Sequence, residues 1–278
     1  MTKPVTPRSR LATPSRASIT RRAPGRPRKA PPGAKAAPAL SAASIVEVAL
    51  DLCREIPLAD LSIVQLARAM GVTPATAHYY LDGRDALLAG VIARYFQTLL
   101  PCFDIGRDQP WEMRIRAVAR ALYERQVEYR GVNAYFVSHN RFRLVQGDSA
   151  TRSDYGIRFL EQTLRLFRER PFSVECAVAN SHALVHFLSS SAHSAGGRQL
   201  PGQHRRFIRD QLRRTDPDEF PAVHQALDAF VALGADQAFE TGLSILIRGF
   251  LDDARPTKTA SRTRAVAHSS RSIQTPIA

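Results

Sequence analysis

The chain has 278 residues, 44% of them hydrophobic and 13 of them phenylalanine, enough to bury one large core or two modest ones. No window approaches the roughly 18 consecutive apolar residues of a membrane span, and the first thirty residues lack the apolar centre of a secretory signal, so a cytoplasmic protein with no membrane partner is expected. The formal charge of +14 lies in the two ends: residues 1–40 carry ten Lys or Arg and residues 255–278 carry five, with no acid in either, while the 24 bases and 25 acids between them nearly cancel.

Residues 1–40 are rich in Pro, Ala, Ser and Arg and almost free of large apolar side chains, so they are expected to form a disordered basic arm. Ser41 or Ser44 then caps a first helix with Ile45, Val48, Ala49 and Leu52 at helical spacing, ended by Pro57. Ser62 caps a short second helix whose buried face is Ile63, Leu66, Ala67 and Met70, with Gly71 just past its end. A third helix starts near Thr73, with Pro74 in its first turn, and stops at Leu81 before Asp82-Gly83. A longer fourth helix presents Leu87, Leu88, Val91, Ile92, Tyr95, Phe96 and Leu99 and ends at Pro101. Beyond Pro110 the periodicity stays helical, through segments around Trp111–Leu122, Phe136–Val145, Tyr155–Phe167 and Val174–Ala195. The basic, glycine-containing stretch from Gly196 to Asp218 reads as a long mobile connection. Final helices are expected over 220–233 and 235–253, and residues 255–278 repeat the composition of the arm as a disordered basic tail. The fold class is all-α, divided into 1–40, 41–100, 101–254 and 255–278.

Two short helices turning at Gly71 describe a helix-turn-helix, whose second helix enters the DNA major groove. Thr73, Pro74 and Ala75 lead that helix and face base edges, and Thr76, His78, Tyr79 and Tyr80 offer hydroxyls, an imidazole and ring faces to phosphates and thymine methyl groups. Ser62 at the preceding cap joins these candidate DNA contacts, and Arg84 is placed to hold a phosphate across the groove. The block LSIVQLARAMGVTPATAHYYLDGRDALL, Leu61 to Leu88, resembles the DNA-binding domain of TetR-type transcriptional regulators. The resemblance is carried by Leu61, Ser62, Leu66, Ala67, Gly71, Val72, Thr73, Pro74, Thr76, Arg84, Leu87 and Leu88. It departs at Ala77-His78, where the family usually has Leu-Tyr, at Leu81, where it usually has Phe, and at Ile56-Pro57, where a glycine is common.

This head carries little positive charge of its own, since Arg54, Arg68, Arg84 and Arg94 face acids that include Asp51, Glu55, Asp60, Asp82 and Asp85. Specific DNA binding commonly leans on several phosphate neutralisations, so charge is expected from elsewhere. Within the arm, Gly25-Arg26-Pro27-Arg28 resembles an AT-hook, and Arg26 and Arg28 become candidate minor-groove contacts. The alternative is a solvated basic tail that adds only non-specific attraction.

For residues 101–254 the resemblance implies a small-molecule effector site and a homodimer, with helices 173–195 and 235–253 the best candidates for the dimer bundle. Tyr135, Phe136, His139, Asn140 and Phe142 line either an effector pocket or ordinary core. His182 and His186 share a helix face with His193 farther along, but no carboxylate or cysteine completes a metal site. Cys53, Cys102 and Cys176 lack the spacing of a disulfide or zinc framework. With no catalytic motif and no cofactor signature, the expectation is a non-enzymatic repressor on an inverted-repeat, double-stranded DNA operator, released by an effector. The rival is an architectural protein that uses the arm on A·T-rich DNA and the helical body as a dimerising scaffold.

Overall fold

The computed structural model describes residues 40–138 and 154–254. The basic arm with Arg26 and Arg28, the C-terminal tail, and His139, Asn140 and Phe142 lie outside the described residues, as does the expected Phe136–Val145 helix beyond Ser138. Among the described residues the secondary structure is entirely helical, as the periodicity requires.

Ser41 and Ser44 act together at the start of α1 (Ala42–Leu52): the Ser44 amide donates to Ser41 Oγ at 3.1 Å, and the Ser41 amide donates to Ser44 Oγ at 2.9 Å. The helix closes at Leu52, earlier than Pro57, because the residue before a proline disfavours helical geometry and a turn over Cys53–Ile56 intervenes. After a 3-10 turn at Leu58–Asp60 come α2 (Ile63–Met70), α3 (Pro74–Tyr79) and α4 (Gly83–Leu99). The α4 stripe is buried as expected at Leu87, Val91, Ile92, Tyr95, Phe96 and Leu99, while Leu88 is half-buried. Gly90 lets α1 approach closely, since a Cβ there would lie 2.8 Å from Val46 Cγ2.

The chain continues through a 3-10 turn at Leu100–Asp104 into α5 (Trp111–Glu128), α6 (Arg130–Ser138), α7 (Tyr155–Arg168) and α8 (Val174–Gly196). After a 3-10 turn at Pro201–His204 follow α9 (Arg205–Leu212), α10 (Pro221–Ala232) and α11 (Ala235–Asp253). Helices α5, α8 and α11 hold the second half together. Trp111 Nε1 donates to Leu166 O at 2.7 Å, and the Tyr123 and Phe239 rings stack at 4.0 Å. Burying each such large side chain contributes about 1.5–3 kcal/mol. One apolar cluster runs without interruption from Ile45 to Phe250, so the expected border near residue 100 is not a gap in packing. Gly83–Asp104 is long and apolar enough to cross a membrane, but its apolar stripe is part of this shared core.

The stretch read as a mobile connection contains α9 and the start of a helical pair. Arg209 pairs with Asp228 at 2.8 Å, Arg205 Nε donates to Val231 O, and the Gly202 amide donates to Leu233 O at 3.1 Å. The sequence hides α9 because its eight residues include four charged ones, and its order depends on these contacts with α10 and its flank. Phe207, Phe220 and Phe230 remain exposed.

Candidate nucleic-acid interface

The turn between α2 and α3 is held by backbone geometry that the sequence specifies. Gly71 takes the left-handed conformation (φ 67°), and the Val72 amide reaches back to Ala67 O at 3.0 Å, closing α2. Ser62 and Gln65 form a reciprocal cap at the other end of α2, with the Ser62 amide donating to Gln65 Oε1 at 2.8 Å. Thr73 Oγ1 accepts the Thr76 amide at 3.2 Å and lies 2.8 Å from Thr76 Oγ1, with Pro74 at the first helical position. Ser62, Thr73 and Thr76 therefore use their hydroxyls to shape the two helices, a role that positions α3 before any ligand is met.

Only Ala77 of α3 is fully buried, which anchors the helix and turns the rest outward. Pro74, Ala75, His78 and Tyr80 are exposed, and Tyr79 stands 84% exposed with its ring packed edge-on to Tyr80 at 5.2 Å. A tyrosine ring so open to solvent does nothing for the core and leaves its hydroxyl and face available. Thr73, Pro74, Ala75, His78, Tyr79 and Tyr80 thus share one accessible helix and its cap. Leu81, standing where a phenylalanine is usual, lines a cleft of about 280 Å³ together with Ser62, Ile63, His78 and Leu87.

Arg84, the expected phosphate contact, also has partners within the protein. Its guanidinium donates to Leu61 O at 2.9 Å and to Ala59 O at 2.5 Å, clasping the loop before α2 onto the start of α4. Two other arginines of the head are also occupied: Arg94 pairs with Glu47, and Arg54 with Asp51 and Glu128. Arg68, exposed on α2, makes no ion pair among the described residues and is the free cation of the head; charge counting includes it but has no means to single it out.

The head is tied to the rest of the fold at the start of α6. The Gly131 amide donates to Cys53 O at 2.8 Å, and a Cβ at Gly131 would overlap the Ile56 carbonyl oxygen and lie 2.7 Å from Cys53 O. Arg54 lies 4.6 Å over the Tyr129 ring and donates to its hydroxyl at 3.1 Å, and Arg130 pairs with Glu55. Burial pushes the Cys53 thiol up to about 12, so it stays protonated and inert at neutral pH.

Farther on, Tyr135 is buried, and Phe136 packs against Tyr95 and Phe96 at 5.9 and 5.6 Å, which makes these two part of the core. His182 and His186 are exposed on α8 with their rings stacked at 6.0 Å, and no group of three candidate metal ligands forms among the described residues.

Residues 106–253 match the tetracyclin repressor-like C-terminal domain. The class D tetracycline repressor of Escherichia coli is 24% identical over 216 residues, which cover 76% of this chain and 89% of that protein. The regulator SrpR of Pseudomonas putida is 27% identical over 130 residues, covering 44% of this chain and 58% of that protein. Among solved structures, apo ActR from Streptomyces coelicolor shares the fold with a TM-score of 0.61 at 23% identity, covering 77% of this chain and 96% of that one. The structure of ActR in complex with actinorhodin gives a TM-score of 0.60 at 22% identity, covering 78% and 99%. With the domain match spanning more than half of its length, the chain belongs to the TetR family and is a TetR-type transcriptional regulator.

Proposed function

We propose that this regulator is a cytoplasmic, non-catalytic homodimeric repressor that inserts α3 into the major groove of an inverted-repeat operator and leaves it when a small molecule binds residues 101–254. The observation that carries the DNA reading is a short helix, capped at Thr73 and anchored by Ala77, whose outer side is open from Pro74 to Tyr80. Thr73, Pro74 and Ala75 face base edges, His78, Tyr79 and Tyr80 meet phosphates and thymine methyl groups, and Ser62 and Arg68 flank them. Arg84 supports these contacts by fixing the loop before α2, and its remaining N–H groups are left for a phosphate.

The dimer reading is supported by apolar residues left exposed on α8 and α11, Val174, Val178 and Ile245 among them. A two-fold axis there sets the two copies of α3 about 34 Å apart, one turn of DNA. Release requires an effector that favours the DNA-incompetent state, since a ligand indifferent to the two states shifts nothing. ActR has been solved with actinorhodin and with (S)-DNPA, which supports the effector reading by likeness of fold. Footprinting on a genomic site mapped with the full chain tests the arrangement: two protected major-groove patches related by a dyad and one turn apart are expected. A single unpaired patch contradicts the dimeric docking.

One observation favours a contribution from the architectural reading. With Arg54 and Arg94 ion-paired and Arg84 sharing its N–H groups with two carbonyls, the head offers few unshared cations to phosphates, and the basic arm, with Arg26 and Arg28, is proposed to supply the missing charge, in the minor groove or along the backbone.

A further inference from the structure

We propose that the cleft between α4 and α7 binds a small amphipathic organic anion, a carboxylate or sulfonate carried on an apolar body. This rests on the effector reading above and deepens it by naming a place and a ligand class. The cleft has a volume of about 1050 Å³, at the upper end of the roughly 300–1,000 Å³ common for small-molecule sites. Four guanidinium groups line it: Arg94 from α4, Arg125 from α5, and Arg158 and Arg165 from α7. Among the described residues two acids share the lining, Asp104 and Glu161, and both already have cations: Asp104 pairs with Arg107 and Glu161 with Arg165.

The cations are not used up by their neighbours. Arg94 donates to Glu47 and Gln97, and Arg125 to Glu128, so each retains N–H donors out of the five a guanidinium carries. The Arg158 side chain makes no hydrogen bond or ion pair among the described residues, so its guanidinium lines the cleft without a partner among them. Beside it the surface turns apolar at Leu100, Pro101 and Ile157, the last nearly half exposed at 49%. A neutral apolar guest leaves Arg158 without a partner, and a bare inorganic anion leaves the apolar wall wet. A molecule with one acidic group and one flat or branched apolar body satisfies both. Thr98 and Gln97 add directional groups from α4, the same helix whose first turn carries Arg84.

Fluorescence titration of the full chain with 1-anilinonaphthalene-8-sulfonate and with uncharged N-phenyl-1-naphthylamine isolates the charge, because the two probes share their rings. The sulfonate is expected to bind about tenfold more tightly than the neutral probe, and Arg158→Glu is expected to remove about that advantage while leaving the neutral probe unaffected. Arg206→Glu, a reversal of equal size at an α9 side chain that is 97% exposed, is expected to change neither. Equal affinity for both probes, or an equal loss in Arg206→Glu, overturns the proposal. Repeating the titration on the operator complex separates the two readings. Arg158-dependent sulfonate binding that leaves DNA bound upholds the site and removes its effector role. Operator release by the sulfonate that ignores Arg158→Glu keeps the effector reading and overturns this site.

Discussion

Individual residues in the head serve the scaffold and the surface by a division that follows side-chain chemistry. Short hydroxyls at Ser62 and Thr73 reach their own helix amides, while the long rings of Tyr79 and Tyr80 cannot fold back and remain outside. The caps were legible in the sequence because Ser-x-x-Gln and Thr-Pro are local patterns with local causes. The clasp made by Arg84 was not, since its acceptors Ala59 and Leu61 lie more than twenty residues away and are backbone oxygens that no side-chain pattern marks. Cys53 gives a residue-scale prediction. Its folded thiol is held protonated up to about 12, above its ordinary 9.0, so the unfolded chain loses that proton first as pH rises. The stabilisation is complete below the ordinary value and is lost between there and about 12. Urea unfolding at pH 8 and pH 10.5 should therefore show the wild type losing about 2 kcal/mol more than Cys53→Ala over this interval. Parallel losses in the two proteins contradict it.

Between elements, the contact of the turn after α1 with the start of α6 fixes the head to residues 101–254, and two kinds of interaction hold it. The ion pairs and ring contact of Arg54 are partly solvated, its side chain being 40% exposed, so Arg54→Ala is expected to cost no more than about 1 kcal/mol. Close backbone approach at Gly131 has no such slack, because a methyl group there meets two carbonyl oxygens and displaces the amide bonded to Cys53. Gly131→Ala is expected to cost about 3 kcal/mol, enough to lower the melting temperature by several degrees. Calorimetry on both variants checks the order; an Arg54→Ala loss equal to or above that of Gly131→Ala refutes the packing argument. Helix α4 and the long helices of the second half were legible from their apolar stripes. Gly131 was not, since a glycine needed for contact with a distant strand of backbone looks in sequence like any helix interruption. The same limit applies to α9, where ion pairs with α10 supply the order that a mobile reading of glycine and arginine content leaves out.

At the scale of the whole molecule, charge and shape are separated along the chain. Residues between the two ends balance their charges almost completely, and the head holds Arg54 and Arg94 in ion pairs, whereas both ends are purely basic. On this account α3 supplies sequence preference and the arm supplies general attraction to phosphate, two contributions that respond differently to salt. The measurement that tests this most directly is a salt series of band shifts on the mapped operator and on unrelated duplex, using the full chain, a variant lacking residues 1–40, and Tyr79→Ala. The account predicts that removing the arm weakens binding to both duplexes and flattens the salt dependence while preference for the operator persists, and that Tyr79→Ala costs about tenfold on the operator with little change on unrelated DNA. Loss of all preference on removing the arm, or full operator affinity in Tyr79→Ala, would contradict it.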